Sequence, residues 1–210
     1  MKASVWMAAM TAALVCMGCT TVGQGSDAGF VDLFNGRDLT GWCIVGNAEG
    51  FQVENGIIHS DSGSGAHWMY YDQSYGDFVL RVEWRVSERG NSGVFLRAPK
   101  EGNPWETGWE VQISCEEPRR DDSHCTGALY AYVAVDPRPD ETPGQWRVYE
   151  ITCRGNNVSV VVDGQEVCRV EQSTLEQTKD KPLVGFVGVQ DSHGPEGTWV
   201  EYRKIQIKAL

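Results

Sequence analysis

Glu110 and Gln112 are the residues of this sequence whose types and spacing most directly suggest chemistry. They lie in the segment Trp109-Glu110-Val111-Gln112-Ile113, where apolar and polar residues alternate as in a β-strand. Both polar side chains therefore point to one face of a sheet. A carboxyl group beside a carboxamide can transfer protons and bind hydroxyl groups. The alternative is a solvated sheet face, because antiparallel sheets are often polar on one side.

Short strands separated by turns account for nearly all of the sequence after residue 30. Phe78 to Val86 alternates between apolar and polar residues, and Asn55-Gly56 joins two further strands in a hairpin pattern. Leu129 to Val135 also reads as a strand, whereas Ser173 to Lys179 is the one weak helix candidate. This strand spacing, with 24 glycines, predicts one all-β domain, a sandwich or a barrel.

The N-terminal residues read as an export signal rather than as part of the fold. Lys2 precedes an apolar run from Ala3 to Val15, which is too short to span a membrane. The following Cys16-Met17-Gly18-Cys19 resembles the lipobox of bacterial lipoproteins, which implies lipidation of Cys19. We therefore expect a signal peptide at 1–18, a tether at 19–28, a domain at 29–210 and a cell-envelope location. The alternative is an ordinary secretory signal cleaved near Gly25.

Composition excludes several classes of function. The net charge of −11 argues against nucleic acid as a partner, since phosphate binding needs a basic surface. No glycine-rich phosphate loop and no zinc-ribbon spacing is present. Five cysteines follow the lipobox, and export permits disulfides. Cys115 with Cys125 and Cys153 with Cys168 are plausible pairs that would leave Cys43 over, but spacing does not fix the connectivity.

Several segments resemble the 3-keto-disaccharide hydrolase domain family over nearly the whole mature chain. The opening FVDLFNGRDLTGW, the pair of strands in DFVLRVEWRVSERGNSGVFLR, and WEVQI followed by TGALY all match in order and spacing. The closing GFVGVQDSH and EYRKIQIK match as well. In the opening segment, Leu33, Phe34, Leu39 and Trp42 are expected to be core anchors without a catalytic role.

The resemblance implies a fold and a reaction. The family is similar to concanavalin A-like lectins and glucanases, which implies a jelly-roll β-sandwich with a carbohydrate site on its concave face. Reported activities act on 3-keto sugars. A ketone at C3 acidifies the proton at C2, so a base can form an enolate and expel the oxygen at C1. Such a site needs a base, a donor to the enolate oxygen and an acid near the leaving oxygen.

Four residues are the candidates for this chemistry. Glu110 is the first choice for base or acid, with an ion pair to a neighbouring arginine as the alternative, and Gln112 beside it would bind hydroxyls or position the ketone. Arg97, which ends its strand, would stabilise the enolate or neutralise Glu110. Histidine is a residue type suited to proton relays, so His193 is the candidate for that role. The family has Gln-Asp-His-Gly here, whereas this chain inserts Ser192, which leaves the placement of His193 open.

Other polar residues are candidates for substrate binding, each with a structural alternative such as solvation, turn formation or strand packing. They are Glu83, Asn91, His124, Tyr130 and Gln190.

The sequence departs from the family pattern at one position where an acidic residue is common. Cys115 stands where relatives often carry an acid, and Glu116 and Glu117 follow directly. Either a carboxylate is displaced rather than lost, or the site is altered or inactive. No set of metal ligands can be assigned from the spacing. Carboxylate and carbonyl oxygens would favour a hard cation such as calcium.

Two further functions compete with a keto-sugar enzyme. A non-catalytic carbohydrate-binding module on the same sandwich would use Trp68, Trp105 or Trp109 as stacking platforms. Conventional glycoside hydrolysis needs two carboxylates flanking the bond. The strand around Glu110 lacks two of the three acids of the glucanase pattern, so this reaction is the least favoured.

Overall fold

Strands dominate the computed structural model, which describes residues 28–116 and 118–210. One short helix, α1, covers Pro104–Thr107, and a 3-10 helix covers Gln172–Thr174. No helix in these two ranges is long and apolar enough to cross a membrane. The strands are β1 (Val31–Asp32), β2 (Trp42–Gly46), β3 (Gln52–Glu54), β4 (Ile57–Asp61), β5 (Ala66–Tyr75), β6 (Phe78–Val86), β7 (Asn91–Ala98), β8 (Trp109–Ser114), β9 (Arg147–Arg154), β10 (Asn157–Val162), β11 (Gln165–Glu171), β12 (Gly185–Gln190) and β13 (Trp199–Ala209).

These strands form two antiparallel sheets. The eight-stranded sheet has the order β11-β10-β9-β6-β13-β4-β3, with β1 beside β13, and the five-stranded sheet has the order β2-β5-β12-β7-β8. The predicted all-β jelly-roll sandwich is therefore confirmed. The predicted signal peptide, Cys19 and nearly all of the tether lie outside the described residues.

The core lies between the inner faces of the two sheets. Leu80 and Val82 of β6 pack into the core from the eight-stranded sheet. Val94 of β7 and Val111 of β8 pack into it from the five-stranded sheet. Burial of each such side chain contributes about 1.5–3 kcal/mol. Because successive side chains alternate between faces, the residues between these are turned outward.

The opening segment anchors the N-terminal end of the domain, as predicted. Leu33 and Phe34 are buried in the core, and the indole N–H of Trp42 donates to the carbonyl of Leu33 at 2.9 Å. Leu39 packs against the same cluster. This segment holds β1 and β2 on opposite sheets and contributes no polar group to a site.

The predicted hairpin at Asn55-Gly56 is confirmed, and the backbone conformation of these two residues explains it. Asn55-Gly56 joins β3 to β4, and both residues have positive φ, 52° and 79°, as a two-residue hairpin turn requires.

Two predicted elements differ in the structure. Leu129 to Val135 is not a strand, because Ala131 takes a φ of 63° and the chain turns so that Leu129 bridges Val133. The predicted helix from Ser173 to Lys179 is also absent, and turns follow the 3-10 helix there.

No disulfide joins any two of the five cysteines that the structure describes in the domain, so the suggested pairs are not formed. Cys153 of β9 pairs with Val158 of β10, and Cys168 of β11 pairs with Val160 on the other side of β10. The two cysteines are therefore two strand spacings apart, about 9–10 Å, which is beyond the reach of a disulfide. The thiol of Cys115 instead donates to the carbonyl of Glu141 at 3.1 Å.

Arg97 does not face Glu110, which corrects its predicted catalytic role. Phe186 of β12 pairs with Ala98 and Gly188 pairs with Phe95, so β7 carries one extra residue at this point. Arg97 occupies this bulge with a φ of 51°, and the bulge redirects its side chain.

The Arg97 side chain joins two turns at one end of the sandwich. It is 0% exposed. Its guanidinium donates to the carbonyls of Gly76 at 2.9 Å and Gly155 at 2.7 Å, and to Asp77 Oδ1 at 3.0 Å. Because every partner is part of the framework, we assign Arg97 a structural role.

Replacement of Arg97 should therefore destabilise the fold. We expect Arg97→Leu to lower the free energy of unfolding by about 3 kcal/mol, because it leaves buried carbonyls and Asp77 without their donor. Arg169→Leu, which removes an exposed ion pair with Glu166, should change it by less than about 0.5 kcal/mol. Urea denaturation of both variants measures this difference, and equal effects would contradict the structural role.

Candidate functional site

The candidate site lies on the face of the five-stranded sheet that points away from the core. Glu110 of β8 pairs with Phe95 of β7, Phe95 with Gly188 of β12, and Gly188 with Tyr70 of β5. Cross-strand neighbours share a face, so these four residues form one row across the sheet.

A second, more polar row runs beside the first. Gln112 pairs with Gly93, and Gln190 pairs with Trp68. Since Val189 pairs with Val94, the register continues with Gln190 beside Gly93. The structure thus brings the predicted residues Glu110, Gln112 and Gln190 to one face.

Two glycines leave room for the functional side chains. A β-carbon at position 93 would collide with the carboxyl group of Glu110, so this carboxyl lies over the backbone of Gly93. A β-carbon at position 188 would lie 2.8 Å from the indole ring of Trp68. Only glycine allows the carboxyl and the indole to lie this close to the sheet.

The environment of Glu110 changes its acidity. The residue is 5% exposed, and burial raises the pKa of its carboxyl to about 8. The positive charge of Arg120 opposes this shift, but the desolvation is larger. The group is therefore mainly protonated at neutral pH, and its ionised form is a stronger base than an exposed glutamate.

The segment 126–130 runs along the free edge of β8 and supplies one wall. Gln112 N–H donates to the carbonyl of Ala128 at 3.0 Å, and Gly127 N–H donates to the carbonyl of Gln112 at 2.9 Å. Tyr130 N–H donates to the carbonyl of Glu110 at 2.9 Å. These bonds fix Tyr130 directly beside Glu110.

The Tyr130 ring is the centre of a half-buried rim. The His124 ring meets it edge-on at 4.9 Å and the Trp105 ring at 5.7 Å. The guanidinium carbon of Arg120 lies 5.7 Å from the Tyr130 ring centroid. His124 is held by Asp121, with 2.9 Å between Nδ1 and Oδ1. The predicted binding residues His124 and Tyr130 therefore belong to this site.

A displaced carboxylate accompanies Arg120. Glu116 Oε2 accepts from Arg120 Nη1 at 3.1 Å and from Ser114 Oγ at 3.3 Å. Ser114 is on the same face of β8 as Glu110 and Gln112. Cys115 bonds to Glu141 instead, so Glu116 supplies an acid where the sequence has a cysteine.

An aromatic cluster continues the face beyond Glu110. Trp68 lies 5.5 Å from Phe95 and 5.2 Å from Tyr70, measured between ring centroids. Trp105 packs against the same cluster from the β7–β8 connection. Trp109, by contrast, is buried in the core between the sheets and cannot be a stacking platform.

Glu83 is not in the site, which corrects its predicted binding role. It belongs to β6 of the other sheet, and its carboxylate accepts from Arg203 at 2.6 Å. Its neighbours Val82 and Trp84 face the core, so Glu83 points to the outer surface of the eight-stranded sheet.

Asn91 and His193 lie at the end of the face beyond Gln112. Asn91 pairs with Ser114, and its carbonyl accepts the backbone N–H of His193 at 2.8 Å. The inserted Ser192 is buried against Thr198, with 3.0 Å between their hydroxyl oxygens. His193 itself is exposed, so its proton-relay role stays a prediction.

Two buried polar atoms at this end have no hydrogen-bond partner among the described residues. They are Oε1 of Gln190 and Oδ1 of Asp191. The other Asp191 oxygen accepts from Ser64 at 3.3 Å, and burial raises the pKa of this carboxyl to about 7. Gln190 Oε1 is thus a buried acceptor without a hydrogen-bond partner among the described residues.

Sequence reasoning missed Arg120, Asp191 and the wall position of Trp105. Arg120 lies in a charged loop. The sequence marks it only as the second of two consecutive arginines that come shortly after two glutamates. In the ranges 28–116 and 118–210, no three His, Cys, Asp or Glu side chains come together to hold a metal ion. The suggested calcium therefore has no assigned ligands.

Fold and site together define a jelly-roll sandwich with a buried acid and an aromatic wall on the face of the five-stranded sheet that points away from the core. The chain belongs to the family of the 3-keto-alpha-glucoside-1,2-lyase-like domain, whose model matches residues 29–208. The family resemblance is therefore confirmed.

Individual proteins that are similar to this chain are consistent with this family. A 3-keto-disaccharide hydrolase of Bacteroides thetaiotaomicron is 25% identical over an aligned length of 232 residues, covering 87% of this chain and 79% of the relative. The crystal structure of a proposed glycosyl hydrolase from Parabacteroides distasonis has a TM-score of 0.73 at 24% identity, covering 87% and 94%. A β-glucanase of Bacillus licheniformis has a TM-score of 0.54 at 12% identity, covering 86% and 97%. The two structures show the fold.

Burial of Glu110 has a stability cost that depends on pH. The folded pKa of about 8 exceeds the ordinary value of 4.5, so stability is fully present below pH 4.5 and is lost as the pH rises through 8. We expect Glu110→Gln to raise the free energy of unfolding by on the order of 2 kcal/mol at high pH, and by little in acid.

Denaturant unfolding from about pH 5 to about pH 9 measures this difference. Glu176→Gln, which changes an exposed carboxylate, is the matched control and should leave the pH dependence unaltered. A Glu110→Gln variant whose stability runs parallel to that of the wild type would show that the carboxyl is not desolvated.

Proposed function

We propose that this protein cleaves 3-keto-glycosides by base-initiated elimination or hydrolysis, with Glu110 transferring the proton. One observation carries the proposal: a buried carboxyl group lies on the sheet face that points away from the core, and Gln112 and Gln190 lie on the same face. The family and the Bacteroides relative support this substrate class. The predicted export signal would locate the reaction in the cell envelope.

The reaction needs one proton acceptor and a way to stabilise the enolate. Ionised Glu110 takes the proton from C2, and the electron pair of that C–H bond forms the enolate with the C3 carbonyl. The enolate then re-forms the C3 ketone, its electron pair makes the C1–C2 double bond, and the bond from C1 to the glycosidic oxygen breaks. The departing oxygen takes a proton from water, and Glu110 returns its proton to the solvent. Water can add across the resulting enone, so that the net reaction is a hydrolysis.

The surroundings of Glu110 fit the role of base. Burial gives its carboxylate a proton affinity well above that of an exposed glutamate, which brings it closer to the acidity of a carbon next to a ketone. The backbone of Gly93 leaves space over the sheet, and Tyr130 and Trp105 form the wall that limits access of water. Gln112 and Gln190 would orient the sugar hydroxyls.

Arg120 takes the electrostatic role that the sequence suggested for Arg97. Its charge acts on Glu110, and its guanidinium lies at the Tyr130 rim, tied to Glu116. A fixed cation at this position would stabilise negative charge as it moves from Glu110 to the enolate oxygen.

The pH dependence of turnover tests Glu110 as the base. With a 3-keto-glucoside, kcat/KM should rise with pH to a plateau through a pKa of about 8, because only the ionised carboxylate accepts the proton. Glu110→Gln should lower kcat/KM by at least about 10²-fold and should abolish exchange of the C2 proton with deuterated water.

Three results would contradict this proposal. Turnover that survives in Glu110→Gln removes the base assignment. Tight binding of the keto sugar without turnover by the wild type indicates a binding module. Cleavage of an ordinary β-glucan with keto sugars left intact excludes the elimination.

Arg120 provides a second test through the pKa of Glu110. Since Arg120 lowers that pKa, Arg120→Met should move the rising limb of kcat/KM to higher pH, by about one unit. It should also reduce the plateau by about tenfold or more through loss of enolate stabilisation. Arg119→Met is the matched control, because Arg119 pairs with Glu141 outside the site; an equal shift in both variants would refute the specific role.

A further inference from the structure

Lys181 is a buried cation whose partners are all backbone carbonyls. It lies in the β11–β12 connection and is 8% exposed. Its ammonium donates to the carbonyl oxygens of Trp105 at 3.3 Å, Glu106 at 2.8 Å and Gly108. The three donors of one lysine therefore all converge on the turn that contains Trp105.

Two of these carbonyls, those of Trp105 and Glu106, lie in α1, and Gly108 follows its last residue. The last carbonyls of a helical turn lack partners within the helix and carry partial negative charge, which a cation stabilises. The rings of Trp109 and Tyr132 flank the ammonium, with Nζ 5.1 Å and 4.4 Å from their centroids. Burial lowers the pKa of Lys181 to about 8, whereas both ring contacts favour its charged form.

The backbone at Lys181 is itself held firmly. The carbonyl of Lys181 accepts from Gln172 Nε2 at 2.8 Å, and Gln172 Oε1 accepts from the indole N–H of Trp109 at 3.4 Å. The hydroxyl of Thr178 donates to the carbonyl of Gln172 at 2.9 Å. Gln172 and Thr178 are buried, so the ammonium extends from a fixed point of the sandwich.

The turn that Lys181 holds carries the wall of the site. Trp105 is half-buried, and its ring contacts Tyr130, which is bonded to Glu110. Trp105 also packs on the Trp68 and Phe95 cluster. Because α1 has only four residues, it is too short to be stable by itself.

We infer that Lys181 is a positioning residue that fixes the Trp105 wall against the ligand face, through its bonds to the carbonyls of α1. Trp105 is then a platform on which a sugar ring of the substrate stacks. The kinetic part of this inference rests on the proposed function, whereas the structural part does not.

Amide hydrogen exchange of the ligand-free protein tests the structural part. Lys181→Met keeps the length and apolar stem of the side chain but removes its donors. We expect exchange of the amides in residues 103–108 to become at least about tenfold faster, with the rest of the β7–β8 hairpin unchanged. Lys179→Met is the matched control, since Lys179 forms an exposed ion pair with Glu176.

Kinetics with a 3-keto-glucoside test the positioning of the substrate. Lys181→Met should raise KM by about tenfold and change kcat by less than about threefold, because the wall binds substrate without transferring protons. Trp105→Ala should show the same pattern. In the Trp105→Ala background, Lys181→Met should add no further rise in KM.

The outcomes separate this inference from the proposed function. Unchanged exchange at 103–108 in folded Lys181→Met, or additive effects of the two substitutions on KM, would overturn it. If Lys181→Met does not fold, Lys181→Gln replaces it, since a neutral carboxamide has only two N–H donors and cannot bond three carbonyls at once; unaltered exchange there would also overturn it. If the wild type ignores 3-keto-glucosides, the proposed function fails and the exchange result alone decides the role of Lys181.

Discussion

The pairing of β7 with β8 is the constraint on which the site depends. Val94 and Val111 lie opposite each other in this register and are fully buried. A slip of one residue would turn these valines to the surface and bury Glu110 in the core, so the packing of the two sheets fixes the register. The same register sets Gly93 beside Gln112 and leaves the space that the Glu110 carboxyl occupies.

Function and stability oppose each other at this pair of strands. A carboxyl group without a close ion pair is unfavourable in a buried position once it ionises, and most sheet faces avoid it. Here the surrounding framework is well bonded, as at Arg97 and Gln172. The rest of the fold therefore offsets the unfavourable burial of one carboxyl group, that of Glu110, whose raised pKa serves the proposed reaction.

Local patterns in the sequence were sufficient for the sandwich and for the central pair. The alternation of apolar and polar residues around Val111 predicted that Glu110 and Gln112 point to the same face of the sheet, and Asn55-Gly56 predicted a hairpin. The wrong predictions concern residues whose positions depend on contacts between distant parts of the chain. Glu83 has the same alternation as Glu110, but its strand lies in the other sheet, and one extra residue in β7 redirects Arg97. Arg120 could not be assigned, because its position beside Tyr130 depends on how the loop after β8 folds back.

The separation of the cysteines has a practical consequence. The strand β10 lies between Cys153 and Cys168, and Cys125 is buried in the core, so packing and hydrogen bonds hold the described sandwich without a disulfide between them. We therefore expect the sandwich to keep its fold in the presence of a thiol reductant.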